Sequence, residues 1–193
     1  RDLHSFPTRR SSDLHSLSDA EKTDKLFNYK RPTAEIIDGV GYLYVFPGKD
    51  YVRHYKKIYE TCGYKVTAKT PTQAQTTRAI KNVLPDDMPT CDVVLLGYVE
   101  GLAPGGQEWR GNDDIKWKTE TINGQEVAFI GVAFSYWGNI IYSVVEVLSK
   151  YCSTIIYAGK LGSLTPSDAP NATIATGDSS YVDGSLEIGR AHV

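Results

Sequence analysis

Residues Asp92–Val99 read DVVLLGYV, a continuous apolar run with the length of one strand. A run of this kind is typical of a strand that is buried on both faces of a parallel sheet. Thr154–Ala158 is a second such run. Trp137–Tyr151 lies between them and is too long for a strand, so it is predicted to be a helix. Strands that alternate with helices predict an α/β fold, and we expect a three-layer α/β/α arrangement around a largely parallel sheet.

Between these two runs the sequence predicts an antiparallel hairpin. Ile115–Ile122 alternates apolar with polar residues, which indicates a half-exposed strand, and Val127–Val132 is predicted to be its partner. Asn123 and Gly124 join the two, and Asn-Gly is a strong signal for a two-residue hairpin turn. The central sheet is therefore expected to be mixed.

Toward the amino terminus the sequence predicts two strands and two helices. Gly41–Pro47 is apolar and aromatic and is predicted to be a strand, as is Lys65–Ala68. Asp50–Cys62 carries an apolar stripe with helical spacing and is predicted to be a helix that Gly63 ends. A second helix is predicted to begin at Thr70–Pro71, where a threonine cap precedes a proline.

Three other stretches carry weaker patterns. Residues 15–35 are polar and lack an apolar period, so they are predicted to be a flexible lead-in. Gly101–Asp114 is rich in glycine and polar residues and is predicted to be a loop. Ala172–Ala175 is predicted to be a further strand.

The composition excludes several classes of protein. The chain has 193 residues, with 21 Lys and Arg against 23 Asp and Glu, which fits one domain and lacks the basic excess of a nucleic-acid binder. No apolar run reaches the roughly 18 residues of a membrane helix. We therefore expect no nucleic-acid partner, no membrane contact and a cytoplasmic location. Cys62, Cys91 and Cys152 form no CxxC pair, so we expect reduced thiols and no metal site.

The two ends of the chain resemble translated sequencing adapters rather than protein. Residues 1–14 read RDLHSFPTRRSSDL and residues 187–193 read EIGRAHV, and each segment matches an adapter along its whole length. We therefore expect the native part to be residues 15–186. On this interpretation the natural chain continues past both ends, and the carboxyl-terminal part of the domain is missing.

A loop between a predicted strand and a predicted helix is the first candidate site. Gly48 lies at the start of that helix, where a glycine lets the backbone approach a ligand and free N–H groups attract an anion. Arg53 follows one helical turn later and could hold the same anion with its fork of donors. The alternative is an ordinary tight turn with a solvated arginine.

Two further loops follow predicted strands. Ser135 lies in the loop Gly131–Gly138 ahead of the long helix, where a hydroxyl suits an oxyanion; the alternative is a serine that caps the helix. Gly159, Lys160 and Gly162 come directly after a buried strand, and two glycines around a lysine resemble a phosphate cradle, although the spacing is not that of a Walker A loop.

Taken together, these loops resemble the nucleoside phosphorylase superfamily, which contains the purine nucleoside and uridine phosphorylases. Ile155–Leu164 is similar to the family segment IIRxG[ST]xGxL, and Asn171–Gly184 resembles the stretch that follows it. Asn123–Ser135 resembles the family's turn, strand and G-x-G-x-x-S segment. Pro47 and Gly48, with Arg53, are similar to the family's PGDPxR loop, with one extra residue before the arginine.

The resemblance implies cleavage of the N-glycosidic bond of a nucleoside, with phosphate or water as the nucleophile. It places phosphate, as a co-substrate, on Gly48, Arg53, Gly159, Lys160 and Gly162. No other cofactor is implied.

The resemblance also implies that Ser135 lies near the ribose and that the full-length protein is a homo-oligomer. The residues that would carry catalysis lie beyond Gly184 in the family pattern. Tyr157 stands where the family has an arginine, and Lys160 where it has a serine or threonine.

Two other interpretations stay open at this point. A related domain could bind an anionic or nucleoside-like ligand without turnover. An unrelated α/β module, such as a glycosyltransferase-like or flavodoxin-like domain, would also fit the pattern of strands and helices.

Overall fold

The computed structural model of the protein describes residues 26–159, 180–182 and 185–187. The elements of the described residues, in chain order, are β1 (Thr33–Ile37), β2 (Val40–Tyr44), α1 (Lys49–Thr61), α2 (Gln73–Asn82), β3 (Cys91–Gly97), β4 (Arg110–Gly111), β5 (Ile115–Ile122), β6 (Gln125–Val132), α3 (Asn139–Leu148), β7 (Cys152–Ala158), β8 (Ser180–Val182) and β9 (Ser185–Glu187). One compact unit ends at Gly159 and a second begins at Lys160. In the second unit β8 and β9 pair antiparallel.

The first unit is built on a mixed sheet of five strands in the order β4-β5-β6-β3-β7. Strand β3 lies between β6 and β7 and runs parallel to both, whereas β4 pairs antiparallel with β5 and β5 pairs antiparallel with β6. Val94 and Leu96 of β3 are fully buried, and Val93, which points to the other face, is 9% exposed. The predicted α/β class, the mixed sheet and the doubly buried strand β3 are therefore confirmed. The prediction that Thr154–Ala158 is buried in the same way is wrong, because β7 has only β3 as a neighbour among the described strands and Tyr157 is 64% exposed. The sheet is also not largely parallel, since two of its four strand pairs are antiparallel.

Each face of this sheet carries its own hydrophobic cluster. The cluster on one face, here called the helix-side cluster, includes residues from all three helices, such as Tyr51, Ile80 and Ile140. The cluster on the other face is centred on Phe27, and no described helix contributes to it. The members of that second cluster are Phe27, Val93, Val99, Val127 and Phe129, with Leu26, Leu95, Ala103 and Trp109 packed against them.

The hairpin turn between β5 and β6 follows the sequence prediction. Asn123 and Gly124 have φ angles of 51° and 82°, and two consecutive residues with positive φ make the type I′ turn that matches strand twist. The turn fixes the register, so Ile122 pairs with Gln125 and the ladder continues to Ile115 and Val132. The turn residues Asn123 and Gly124, together with the alternation in β5, were therefore sufficient to predict this hairpin.

Helix α1 ends as predicted, at a glycine in the left-handed conformation. Gly63 has a φ of 86°. Its N–H donates to Glu60 O at 3.0 Å, and the N–H of Tyr64 donates to Tyr59 O at 3.1 Å. These two bonds form a Schellman motif, which satisfies carbonyls that the last helical turn leaves open.

The predicted start of α2 is wrong by two residues. The cap is Thr72 rather than Thr70, and its side chain accepts the N–H of Gln75 at 3.2 Å. The Gln75 side chain accepts the N–H of Thr72 in return, at 2.9 Å. This reciprocal capping box satisfies two donors at the start of the helix.

Two strand predictions on the amino-terminal side need correction. Lys65–Ala68 forms no strand and pairs with none of the described strands. The strand predicted over Gly41–Pro47 exists as β2, but it pairs only with β1 in a separate two-stranded ribbon. A strand pattern therefore indicated the conformation of β2 without indicating its partner.

The prediction of a flexible lead-in is wrong from residue 26 onward. The ring of Phe27 is buried and covers Gly131, where an added Cβ would collide with it. Asn28 N–H and Lys30 N–H donate to the carbonyls of Val132 and Ala133 at 2.9 and 2.8 Å. These contacts tie the segment, here called the strap (26–31), to the end of β6.

Two other sequence predictions have simple outcomes. The Gly101–Asp114 loop contains the short strand β4, and the predicted helix Trp137–Tyr151 is α3, shorter by two residues at its start and three at its end. The strand predicted over Ala172–Ala175 lies outside the described residues.

A directed chain of hydrogen bonds crosses the interface of the three helices. Thr77 has a single hydroxyl hydrogen, which Glu146 Oε2 accepts, so the Ser143 hydroxyl must donate to Thr77 Oγ1. The donor-to-acceptor steps are Asp50 N to Asn139 Oδ1 (3.2 Å), Asn139 Nδ2 to Gln73 Oε1 (3.4 Å), Gln73 Nε2 to Ser143 Oγ (2.6 Å), Ser143 Oγ to Thr77 Oγ1 (3.1 Å) and Thr77 Oγ1 to Glu146 Oε2 (2.8 Å).

Candidate functional site

The carboxyl ends of the parallel strands form the candidate site. After β6 the chain passes to α3, which packs in the helix-side cluster. After β3 it passes to Val99 and Ala103, which belong to the cluster on the opposite face. Where neighbouring strands send their connections to opposite faces, a crevice opens at their carboxyl ends, and this is where ligands bind in open α/β sheets.

Ser135 lies at this edge, three residues after β6. Its hydroxyl donates to Asn28 Oδ1 of the strap at 2.8 Å. Asn28 has a φ of 52°, a left-handed conformation that asparagine tolerates better than most residues. The strap therefore holds the Ser135 side chain in one orientation. Sequence reasoning identified Ser135 and missed its partner.

Arg31 brings a guanidinium to the same region. Its Nη1 donates to the carbonyls of Asn28 and Lys30 at 2.6 and 2.9 Å, which folds the side chain back along the strap. Burial and the nearby Tyr51 raise the pKa of Tyr55, and the charge of Arg31 acts in the opposite direction. Arg31 is therefore within electrostatic range of the Tyr55 hydroxyl.

Aromatic side chains from α1 and from the β6–α3 loop form one surface, here called the tryptophan face (Tyr51, His54, Tyr55 and Trp137). The Trp137 ring lies 4.9 Å from the Tyr51 ring and 5.5 Å from the His54 ring, centroid to centroid. Tyr55 stacks on Tyr51 at 5.5 Å. Because Trp137 is 44% exposed, this face offers an accessible aromatic surface on which a planar ring can stack.

Tyr136 joins the ends of β3 and β7. Its ring lies 6.3 Å from that of Tyr157, in an edge-to-face arrangement. Burial raises the pKa of Tyr136 strongly and Tyr157 adds to this, while a backbone hydrogen bond with Gly97 acts in the opposite direction. Because its pKa is raised, the phenol of Tyr136 is neutral across the physiological range. Gly97 itself has a φ of 101°, and a Cβ there would collide with the carbonyl of Ala158.

At the start of α1, where the sequence predicts an anion site, the helix is in close contact with the start of α3. A Cβ on Gly48 would collide with the side chain of Ile140, so this glycine permits a close approach of α1 to α3. The N–H of Asp50 donates to Asn139 Oδ1 at 3.2 Å, and Asp50 Oδ2 accepts the N–H of Asn139 at 2.8 Å. The helix ends that would attract an anion thus cap one another.

Of the other predicted phosphate residues, Arg53 and Gly159 lie in the described part of the chain. Arg53 is exposed on α1, and within residues 26–159 the structure gives it no hydrogen bond or ion pair. Gly159 follows β7, and a Cβ there would lie 2.9 Å from the Tyr157 ring. Lys160 and Gly162 lie outside the described residues.

The described part of the chain holds no group of three or more His, Cys, Asp or Glu residues that could bind a metal ion. Among its helices, none combines the length and the apolar character needed to cross a bilayer.

Comparisons of the chain with protein-family models, with curated proteins and with solved structures found no match. Its own residues must therefore carry any functional argument.

Proposed function

We propose that the chain binds a nucleoside or a related N-glycoside at the carboxyl edge of its sheet and cleaves the N-glycosidic bond, with phosphate or water as the nucleophile. The observation that carries the proposal is the position of Ser135, whose hydroxyl donates to Asn28 just after the carboxyl end of β6. The family resemblance of the surrounding loop motivates the choice of substrate. The same resemblance is the ground for two further parts of the proposal. The whole protein is a three-layer α/β/α domain, and it acts as a cytoplasmic homo-oligomer.

The chemistry requires three kinds of contact. Cleavage passes through a sugar cation, so the site must orient the sugar, support the departing base and position the nucleophile. The Ser135 hydroxyl is suited to a sugar hydroxyl, because it can exchange its bond to Asn28 for one to the ligand. Trp137 is suited to the base, since an exposed indole offers a stacking surface.

Arg31 and Arg53 are the two candidate cations for phosphate. Arg53 has no partner among the described residues, whereas Arg31 uses Nη1 on the strap and keeps its other guanidinium donors. A guanidinium suits phosphate because its fork of donors matches two phosphate oxygens. The phosphate dependence of the reaction should therefore fall in Arg53→Ala or in Arg31→Ala, with Lys57→Ala on the exposed part of α1 as the matched control.

A second candidate function is binding without turnover. The contact between the starts of α1 and α3 favours it, because Asn139 Oδ1 already accepts the Asp50 N–H and Ile140 covers Gly48. A phosphate at this place would have to displace both. The resemblance places the phosphate site at the start of α1. Without that site the domain would bind its ligand without turnover or would cleave it with water.

The test uses the full chain with inosine and uridine as one purine and one pyrimidine substrate. Release of free base is measured with and without inorganic phosphate, and binding is measured by equilibrium dialysis. Ser135→Ala should lower release or affinity about tenfold, the effect of one hydrogen bond to the substrate. Ser149→Ala, which removes a surface hydroxyl, is the matched control and should have no effect.

The outcomes separate the candidates. Release that depends on phosphate supports phosphorolysis, and release without phosphate supports hydrolysis. Binding without release supports the second candidate. Absence of both binding and release for both nucleosides contradicts the proposal.

A further inference from the structure

Two of the three cysteines lie side by side at one end of the sheet. Cys91 and Cys152 are the first residues of β3 and β7, and they are register partners in that parallel ladder. Cys91 N–H donates to Tyr151 O at 2.8 Å, so the pairing is already established at these positions. Both residues are half-buried free thiols, and Cys62 is exposed at the end of α1.

The spacing of the pair suits a disulfide. Neighbouring strands lie about 4.8 Å apart, within the range of roughly 4.4–6.8 Å that separates the Cα atoms of a disulfide. Both side chains point to the same face of the sheet, since register partners do so and both pack against the helix-side cluster. Cys152 Sγ lies 3.5 Å from Leu148 O, which holds this thiol over the sheet rather than in solvent.

We propose that Cys91 and Cys152 form a reversible intramolecular disulfide when the protein meets a hydroperoxide such as hydrogen peroxide. One thiolate attacks a peroxide oxygen, the O–O bond breaks, and the departing hydroxide takes up a proton to leave as water, which gives a sulfenic acid. The second thiol attacks that sulfur, the S–O bond breaks, and a second water leaves as the S–S bond forms. The two thiols together lose two electrons and two protons, and the peroxide becomes two waters.

The geometry makes this bond easy to reduce. The Cα–Cβ bonds of register partners run side by side instead of converging, so the strand ends must shift for the sulfurs to meet. Such strain favours the reduced form and is typical of labile disulfides. Burial raises the pKa of both thiols, so little thiolate is present at neutral pH and oxidation is slow.

The position of the pair keeps it away from the candidate site. Gly97 and Ala158 end the same two strands, about 20 Å along the sheet from the cysteines at roughly 3.3 Å per residue. Oxidation should therefore join β3 to β7 without covering the crevice. This inference is independent of the proposed function, because it needs no ligand.

The test begins with Cys62→Ser, which removes the exposed thiol and leaves only the pair. The folded variant is treated with hydrogen peroxide, alkylated with iodoacetamide and analysed by mass spectrometry with and without dithiothreitol. We expect the loss of two hydrogens, protection of both cysteines from alkylation and a peptide that links them. Dithiothreitol should restore two alkylatable thiols.

Matched variants identify the mechanism. Cys62→Ser with Cys91→Ser, and Cys62→Ser with Cys152→Ser, should each gain oxygen at the remaining cysteine and form no internal bond. Peptide mapping of the unaltered chain gives a second measurement that needs no substitution. The proposal is overturned if Cys91 and Cys152 both stay alkylatable, if each is oxidised separately, or if either pairs with Cys62 instead.

Discussion

Asp50 and Asn139 cap each other's helices. The carboxylate of Asp50 accepts the first N–H of α3 at 2.8 Å, and the amide oxygen of Asn139 accepts an N–H in the first turn of α1 at 3.2 Å. The two residues are 89 positions apart, and Gly138, with a φ of 62°, makes room for the Asp50 side chain. One contact therefore fixes how α1 and α3 meet.

This reciprocal cap predicts coupled losses of stability. Asp50→Ala and Asn139→Ala should each lower the free energy of unfolding by about 1–2 kcal/mol, because each leaves a helix-end donor without an acceptor. The double variant should lose less than the sum, by at least about 0.5 kcal/mol, because the two residues share one contact. Urea unfolding measures all three values. Asp86→Ala, at an exposed position, is the control, and strictly additive losses would contradict the coupling.

Gly48 predicts a steric effect. Gly48→Ala should destabilise the protein by about 1–3 kcal/mol, because the new methyl group overlaps the Ile140 side chain. In an Ile140→Ala background the added cost of Gly48→Ala should be smaller, because the overlapping side chain is gone. Gly41→Ala is the matched control, since a Cβ there meets nothing within 4 Å. Equal stabilities for the Gly48 and Gly41 variants in thermal unfolding would show that the close approach is absent.

The hydrogen-bond chain predicts that its middle is the sensitive point. Ser143→Ala should cost about 1–3 kcal/mol, because it removes the acceptor of Gln73 Nε2 and the donor to Thr77 in a fully buried position. Ser149→Ala, at the exposed end of α3, should stay within about 0.5 kcal/mol of the unaltered chain. The comparison is made by urea unfolding of both variants. A small effect of Ser143→Ala would mean that the chain does not stabilise the interface.

Tyr136 predicts a loss of stability at alkaline pH. Its pKa is raised above 10.0, the value for an unperturbed tyrosine, so the unfolded chain releases this proton at a lower pH than the folded chain does. The stability that the neutral phenol contributes is complete below pH 10 and falls as the pH rises beyond it. Urea unfolding at a series of pH values should show a shallower alkaline decline for Tyr136→Phe. Identical declines would contradict the pKa direction.

Local patterns predicted much of the sheet. The apolar run of β3, the alternation of β5 and the Asn123–Gly124 turn each depend on neighbours in sequence, and each is confirmed. The partner of β2 was missed, although a local pattern carries it: Asp38 and Gly39 have φ angles of 51° and 75° and form a two-residue hairpin turn between β1 and β2. Lys65–Ala68 has a side-chain pattern that suits a strand, but it pairs with none of the described strands.

Part of the candidate site could be predicted from the sequence, and part of it could not. Ser135 could be predicted because it follows a strand, and such loops line the ligand crevice. Asn28, which is 107 positions away from it, could not be predicted from spacing. Phe27 was the available signal, because an aromatic residue in a polar stretch often anchors that stretch to a core. The anion site predicted at Gly48 stays a prediction, and the packing of this glycine against Ile140 could not be predicted from the sequence.

The ribbon of β1 and β2 is expected to give the first unit two different rates of amide hydrogen exchange. These strands pair only with each other among the described elements, and Ile36 of β1 is 81% exposed. A two-stranded ribbon is marginal in water, so its amides exchange with deuterium through brief local fraying, whereas those of β3 exchange only when the whole sheet comes apart. The boundary falls between Tyr44, at the end of the ribbon, and Phe46, which is fully buried. Deuterium uptake therefore reports on the two parts of this unit separately.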